Sequence, residues 1–421
     1  MRMLNYSIKK SSIEDSCVLL LIISLFSLKC IPGFMYIGQI LFLVIIAIKI
    51  SKEGISFNYY TIFNIMFLIW SIISIFWSPK QSSTIKALKP LLQLTVLCIC
   101  LLQYYRNYCF EKVEKTLYYF CISSVILFIV IFIKTPISSW LEIIKETTNA
   151  STSAGRLGPT VGFQPNALGI ILSFSSIIWL YLFLKYKNKF FGFMYFILCI
   201  LILFTKSRKA LIVLLFGSIM YFILYKGGKK RIIMMTIGSI CVLAIIYWSV
   251  LNIPFLYNMI GFRMEGIFSI FDSAYVADAS VTTRSDMINI GINLFVEKPI
   301  HGVGLGNFSY YYYYLLEGWA ETYSHNNYVE ILSGLGLIGF YLYYFIPFKM
   351  LYIMIIRRKQ FFGYNRELFS LILILLSLRL FVDYGMVVYD DEFIQLLTVV
   401  LYSGICYLNF GSKIKNKEII N

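Results

Sequence analysis

Two arginines and one histidine combine residue types that could bind an anion and move a proton. Arg208 stands just before an apolar run, and Arg284 stands at the start of an amphipathic segment. An arginine in the first turn of a helix adds to the partial positive charge of the helix N-terminus, so Arg284 predicts an anion site. His325 precedes the next apolar run, where a following helix N-terminus would hold the imidazole neutral. A neutral imidazole accepts a proton near pH 7 and is a candidate general base.

The segment that carries Arg284 has the pattern of a short helix. Thr283 followed by Asp286 resembles a capping box and predicts a helix that starts there. Apolar residues then repeat at helical spacing, at Met287, Ile288, Ile292 and Phe295, with Gly291 among them. Pro299 is expected to end this helix. Further on, Gly334 to Gly339 formally match a dinucleotide fingerprint, but the tract lies in an apolar run without a preceding strand, so close helix packing is the better interpretation.

Long apolar runs must position these groups. The 421 residues are 59% hydrophobic and only 14% charged, against roughly 25% charged in soluble proteins. Runs long enough to cross a bilayer recur along the chain, and their continuity excludes a membrane β-barrel. We predict an all-α, polytopic membrane helix bundle of about 12 transmembrane helices with one large extracytoplasmic loop. The predicted segments are 17–31, 34–48, 62–77, 88–103, 117–133, 167–184, 190–204, 210–225, 232–251, 329–352, 368–382 and 393–410.

The distribution of charge orients this bundle. The net charge of +16 is interpreted as cytosolic loops and lipid contacts and not as nucleic-acid binding, because no basic segment forms a domain. Both tails are basic, so both termini are predicted to be cytoplasmic. Two short outer loops break this rule, with Lys80, Lys86 and Lys89 in one and Lys206, Arg208 and Lys209 in the other. Either these positive charges are exceptions to the charge rule that the topology tolerates, or they form a site for an anionic ligand at the outer face.

Four regions follow from these segments. They are the N-terminal membrane helices (1–166), the central membrane helices (167–251), the extracytoplasmic loop with short helices (252–328) and the C-terminal membrane helices (329–421). In the loop, the tract Tyr310–Tyr314 and Trp319 is either an interfacial aromatic belt or a surface for stacking sugar rings. Contacts with a sugar or acceptor are predicted from Tyr312, Trp319, Tyr323 and Asn326. Scattered cysteines and only two histidines predict no metal site, and no cofactor is expected.

Four stretches, taken in chain order, resemble the O-antigen ligase and polymerase superfamily. They cover roughly residues 155–340 and are Arg156 to Asn166 (with Gly-Phe-Gln-Pro-Asn), Thr205 to Ala210 (with Ser-Arg-Lys-Ala), Arg284 to Phe308, and His325 to Gly339. The N-terminal third of the chain matches only as hydrophobic helices. His301 occupies a position that the family usually fills with an apolar residue, and we assign it no role.

The resemblance implies a GT-C-like, metal-independent, inverting glycosyltransferase of the bacterial inner membrane, with its active site on the periplasmic or extracellular face. Its donors would be undecaprenyl-diphosphate-linked oligosaccharides. Arg208 and Arg284, and more weakly Arg156, correspond to the residues that hold the diphosphate, and His325 corresponds to the general base. Membrane lipids, a chain-length regulator and a flippase of the same pathway would be its partners.

Three functions remain open from the sequence. The favoured one is a polymerase that joins lipid-linked repeat units of O-antigen or capsule. The second is a ligase that transfers the finished glycan to lipid A–core or another acceptor. The third is a polysaccharide transporter or flippase, which should carry charges at mid-membrane and alternate its access; the large outer loop and the outer-face arginines argue against it.

Overall fold

The computed structural model describes residues 12–31, 33–106, 110–145, 155–226, 234, 238, 244, 248–257, 261, 279–315 and 322–420. Within these residues the protein is helical and contains no strand. The longer helices are α1 (Ile13–Phe26), α2 (Phe34–Glu53), α3 (Tyr59–Ile73), α4 (Gln81–Tyr104), α5 (Phe110–Lys134), α6 (Ile137–Lys145), α7 (Pro165–Tyr186), α8 (Lys189–Phe204), α9 (Arg208–Lys226), α10 (Ala279–Glu297), α11 (Asn327–Ile356), α12 (Arg358–Asp383) and α13 (Glu392–Ile420).

Eight of the described helices are long and apolar enough to cross a membrane, namely α2, α3, α4, α5, α7, α9, α11 and α13. Three further predicted segments coincide with α1, α8 and α12, which are either shorter or more charged. The remaining predicted segment, 232–251, lies largely outside the described residues. The prediction of a multi-pass, all-helical membrane bundle is therefore confirmed in kind, with eight spans of sufficient length in the described part instead of twelve.

Helix α7 forms the centre of the bundle. It is apolar on all sides and almost every one of its side chains is buried, as expected for a helix that is surrounded by other helices. Its neighbours are α5, α8, α9 and α12. Pro165 opens the helix at a position where its missing N–H costs nothing. The start of this central helix is thus held rigidly. The residues just before that start, and those in the first turns of α7, form part of the site described below.

A glycine-rich contact fixes the end of the large loop against α11. The N–H of Gly304 donates to the carbonyl of Gly334 at 2.7 Å, and the N–H of Leu337 donates to that of Pro299 at 2.8 Å. Helix α11 breaks at Gly336, whose φ is +65°. A Cβ on Gly336 would come within 2.3 Å of the carbonyl oxygen of Ile300, so no larger residue fits. The glycine tract therefore serves close packing, as predicted, but its partner is the turn segment 299–304 and not a second helix.

Helix α10 starts earlier than its sequence pattern indicates. It includes Ala279, so Thr283 lies inside the helix and does not cap it. Arg284 is consequently in the second turn, and the prediction that it adds to a helix N-terminus is wrong. Thr283 is exposed to solvent, and a solvent-facing threonine is tolerated in a helix interior at small cost. The predicted end of the helix is confirmed, since α10 stops at Glu297, two residues before Pro299.

Candidate functional site

Four cationic side chains from three parts of the chain line one cleft. Arg156 comes from the loop before α7, Arg208 and Lys209 come from the first turn of α9, and Arg284 comes from α10. The remaining walls are formed by Asn166 and Ile170 of α7 and by Gly385 and Met386. Positive charges gathered in a cleft raise the local concentration of anions, so this arrangement suits the binding of an anion.

Arg156 is held between the end of α8 and the start of α7. Its Nε donates to the carbonyl of Thr205 at 3.0 Å, and its Nη2 donates to Oδ1 of Asn166 at 2.7 Å. The backbone N–H of Leu157 also donates to the carbonyl of Phe204 at 3.0 Å. Two of these bonds fix the loop before α7 to the end of α8 and the following turn, and the third ties Arg156 to the first turn of α7.

The α8–α9 turn places Arg208 and Lys209 by close backbone packing. Lys206 adopts a left-handed conformation with φ of +49°, and α9 begins two residues later. Ala210 then packs on Gly169 of α7, where an added Cβ would lie 2.7 Å from that of Ala210. Only small residues allow this approach, which explains why an alanine follows the two cationic residues. The short turn brings both cations to the start of the central helix.

His325 lies in a tight turn immediately before α11. Its φ of +55° is unusual for a residue other than glycine. The N–H of Ser324 donates to Oε2 of Glu330 at 2.8 Å, and the hydroxyl of Ser324 donates to the carbonyl of Asn326 at 2.8 Å. The side chain of Asn326 caps α11 by accepting from the N–H of Tyr328 at 3.0 Å. Several hydrogen bonds with neighbouring residues therefore hold the turn in this conformation. Such support is how strained backbone persists at functional sites.

Burial, together with the positive charges of Arg284 and Lys209, lowers the pKa of His325 to about 4. The imidazole of the empty site is therefore neutral at physiological pH, in agreement with the sequence expectation. The cause of the neutral imidazole differs from the predicted one. The prediction invoked the N-terminus of the following helix, whereas desolvation and two nearby cations act here. The same two cations line the cleft, so His325 lies within electrostatic reach of the anion-binding position. The ring of Tyr323 stands 4.3 Å from the imidazole ring, centroid to centroid.

The connector between α12 and α13, residues 384–391, closes the other side of the site. Oδ1 of Asn327 accepts from the N–H groups of Val388 and Tyr389 at 3.0 and 3.1 Å. On the α12 side, Arg379 donates to the carboxylate of Asp383 at 3.1 Å in a buried ion pair. The two bonds to Asn327 hold the connector to the first turn of α11, next to His325.

The other predicted contact residues lie in different surroundings. Tyr312 is buried in a small cluster with Met287, Leu294 and Phe308, under α10, and does not line the cleft. Tyr323 is partly exposed beside His325, and Asn326 is occupied in capping α11. Trp319 lies outside the described residues. His301 packs against Trp77 at 5.2 Å between ring centroids, apart from the residues that line the cleft.

The sequence prediction missed Lys209 and Asn166 as residues of the site. Both lie inside the stretches that resemble the family, without an individual role there. Lys209 follows Arg208 in the cationic outer loop that was one candidate for binding an anion, and Asn166 ends the stretch that begins with Arg156. Asn166 could have been found from its place at the start of an apolar run, where a polar side chain faces the same end of the bundle as Arg156. Among the described residues, no group of three or more His, Cys, Asp or Glu could hold a metal ion.

One family model matches the part of the chain that contains most of this site. Residues 193–344 match the family described as O-Antigen ligase. The matched range includes Arg208, Lys209, Arg284 and His325, and Arg156 precedes it. No curated protein matches the chain. Together with the apolar helices, the match supports a multi-pass membrane enzyme of the O-antigen ligase or polymerase type, glycosyltransferase-like or ligase in its chemistry. The resemblance to the O-antigen ligase and polymerase superfamily, which rested on four short motifs, is thereby confirmed.

Proposed function

We propose that the protein is a membrane glycosyltransferase that polymerises polyprenyl-diphosphate-linked oligosaccharide repeat units of O-antigen or capsule. The observation that carries this proposal is the cleft in which Arg156, Arg208, Lys209 and Arg284 meet, with a neutral His325 beside it. A diphosphate ester is a compact dianion, and arginine is suited to contacting phosphate oxygens in pairs. His325 supplies the proton acceptor that transfer to a hydroxyl requires.

The reaction is a direct displacement at the anomeric carbon. The acceptor hydroxyl attacks C1 of the donor sugar as its proton passes to the imidazole of His325. The bond between C1 and the diphosphate oxygen breaks, and its electron pair stays on that oxygen, so the leaving diphosphate gains one negative charge. Fixed guanidinium groups stabilise this developing charge without rearranging in the transition state. Attack from the face opposite the leaving group inverts the anomeric configuration.

Donor binding and the basicity of His325 are coupled in this scheme. In the empty site, burial and the charges of Arg284 and Lys209 hold the pKa of His325 at about 4, which makes it a weak base. A bound diphosphate offsets those positive charges and raises the pKa towards its ordinary value near 6.5. His325 therefore becomes an effective base mainly when the donor is in place, which disfavours proton abstraction from an acceptor that arrives first.

The proposal includes a position in the cell. The enzyme would be a GT-C-like protein of the bacterial inner membrane with both termini in the cytoplasm. The cleft would face the periplasm or the cell exterior and would receive undecaprenyl-linked donors from a flippase, with a chain-length regulator as a further partner. The basic tails and the cationic α8–α9 turn support this orientation, because positive charge on an outer loop needs a retaining cause such as an anionic ligand.

The second candidate is the ligase, which uses the same donor chemistry and a different acceptor. The family description favours it directly, since the matching model is named for O-Antigen ligase. The glycan profile of a deletion strain separates the two functions. Single repeats attached to the core would indicate a lost polymerase, whereas accumulated lipid-linked polymer would indicate a lost ligase. Loss of surface glycan, with lipid-linked repeat units accumulating in the cytoplasmic leaflet, would favour the transporter alternative.

A further inference from the structure

We propose that Lys209 is a further diphosphate-binding residue, held in the cleft by a hydrogen bond to the end of α12. This inference rests on the proposed function and adds a residue to its donor site. In the family segment Ser-Arg-x-Ala, Lys209 stands at the open position x, so the motif itself assigns it no role. Its inclusion follows from where its ammonium group lies.

Consecutive residues of a helix point about 100° apart, so Arg208 and Lys209 are not expected to share one site. Both nevertheless line the cleft. Lys209 reaches it by extending towards α12, where its Nζ donates to the carbonyl of Val382 at 3.2 Å. The two cations of the α9 turn thus approach the anion position from different directions, Arg208 from the α9 side and Lys209 from the connector side.

Gly385 makes room for the ammonium group. A Cβ at this position would lie 2.4 Å from Nζ of Lys209 and 3.2 Å from its Cε. The φ of Gly385 is +142°, which other residues rarely adopt. The same Cβ would lie 3.8 Å from the carbonyl oxygen of His325. Gly385 therefore sits where the lysine from α9 and the turn that carries the base approach each other, and it keeps Lys209 in the cleft.

The surroundings of Lys209 favour an anionic ligand over a purely structural role. The ammonium group has three N–H donors, so the single bond to Val382 fixes its position and leaves donors for ligand oxygens. Arg284 is the nearby cation that acts on it electrostatically, with Asp383 as the opposing carboxylate. Asp383 is already paired with Arg379 in a buried ion pair. A compact ammonium suits the point of highest charge on a leaving diphosphate.

The test measures binding of farnesyl diphosphate, which mimics the leaving group, to the purified full chain in lipid nanodiscs. Lys209→Met is expected to weaken binding at least tenfold, and Lys134→Met, at the exposed end of α5, serves as the matched control with no change expected. Gly385→Ala should reproduce the loss by displacing the ammonium group. Its control is Gly54→Ala, which has a φ of +72° but open space around the added Cβ, and so introduces backbone strain without a clash.

The arms of the experiment separate this inference from the proposed function. Loss of binding in Arg208→Ala and Arg284→Ala, with wild-type binding in Lys209→Met, would overturn the role of Lys209 and leave the diphosphate site standing. Wild-type binding in all of these variants would overturn the diphosphate site itself. Thermal unfolding without ligand checks that each variant is folded. If Lys209→Met does not fold, Gly385→Ala decides the matter, since wild-type binding in that variant would equally contradict the proposal.

Discussion

The backbone N–H of Ser324 donates a hydrogen bond to Oε2 of Glu330 at 2.8 Å, across the turn that carries His325. Both residues are buried, with Glu330 only 6% exposed. The carboxylate belongs to the first turn of α11, the helix that follows His325. The same helix therefore also supports the segment just before His325, through the bond to Ser324. His325 needs this support, because its φ of +55° is costly for a residue with a side chain.

Removing that brace should impair catalysis through the position of His325. In Glu330→Ala the N–H of Ser324 loses its partner, which costs about 1–3 kcal/mol for a buried donor. Displacement of a catalytic group by about 1 Å can lower the rate about a hundredfold. We expect Glu330→Ala to shorten glycan chains strongly, whereas Glu330→Gln, whose amide oxygen can still accept, should retain most activity. Equal activity of Glu330→Ala and wild type, at matched protein levels, would show that the brace is dispensable.

His325→Ala and Arg284→Ala should abolish long glycan chains. The first removes the proton acceptor and the second removes one fixed cation of the cleft, while neither residue belongs to the apolar core of the bundle. Membrane insertion should therefore persist in both variants. The measurement is a glycan gel combined with quantification of the protein in membranes. Chains of wild-type length in both variants would contradict the proposed site.

Arg208→Lys should be a poor substitute for the wild type. A guanidinium group contacts two phosphate oxygens at once, and an ammonium group acts as a single point charge. We expect at least a tenfold loss of transfer activity with purified protein and lipid-linked donor. Lys134→Arg, at an exposed position that does not line the cleft, is the control for a change of cation type. If Arg208→Lys retains full activity, a point charge suffices at this position.

The pH dependence of the reaction should differ between the empty and the donor-bound enzyme. The neutral form of His325 is the base, so activity falls on the acid side as the imidazole becomes protonated. The acid limb of kcat/KM reports the free enzyme, where the pKa of His325 is about 4, and that of kcat reports the complex, where the diphosphate raises it. The limb for kcat should therefore lie at higher pH than the limb for kcat/KM.

Lys209→Met offers a check on that assignment. It removes one of the positive charges that lower the pKa of His325, so the acid limb of kcat/KM should move to higher pH in this variant. Coincident limbs in the wild type, together with no movement in Lys209→Met, would mean that another group governs the acid side.

Asp383→Asn should lower the stability of the protein more than it lowers the transfer activity. Arg379 and Asp383 are both almost fully buried, and loss of one partner leaves a charge inside the helix bundle. Breaking such a pair typically costs about 3–5 kcal/mol. We expect a clear drop in Tm in thermal unfolding, with part of it restored when Arg379→Met is added. A double variant as unstable as the single one would show that packing, and not the unpaired charge, is the cause.

The sequence predicted the membrane helices well because hydrocarbon imposes a strong local rule. Each crossing must satisfy its backbone internally, so an apolar run of sufficient length is itself the signal. The same rule could not reveal α6, a short amphipathic helix, nor the break of α11 at Gly336, where the indole of Trp70 donates to the carbonyl of Leu335 at 3.0 Å. The indole contact at that break comes from a helix distant in sequence, so no local pattern encodes it.

The site was predicted in part for a similar reason. Arg208, Arg284 and His325 occur in recognisable motifs, and the structure brings the two arginines into one cleft with His325 beside it. The first-turn position of Arg284 was wrong, because a capping pattern inside a longer helix looks like a helix start. Lys209 was missed because its role depends on Val382 and Gly385, which belong to another helix and connector.

The pairing of segment 299–304 with the break in α11 has a consequence for biosynthesis. This contact joins residues close in sequence, so it can form as soon as α11 has left the ribosome, and the His325 turn is then already shaped. The partners of that turn and of Lys209, at Val382, Gly385, Val388 and Tyr389, are synthesised later. The anion cleft is therefore completed only after α12 and the connector that follows it have been synthesised, and a chain truncated before them would carry its base and arginines without an assembled donor site.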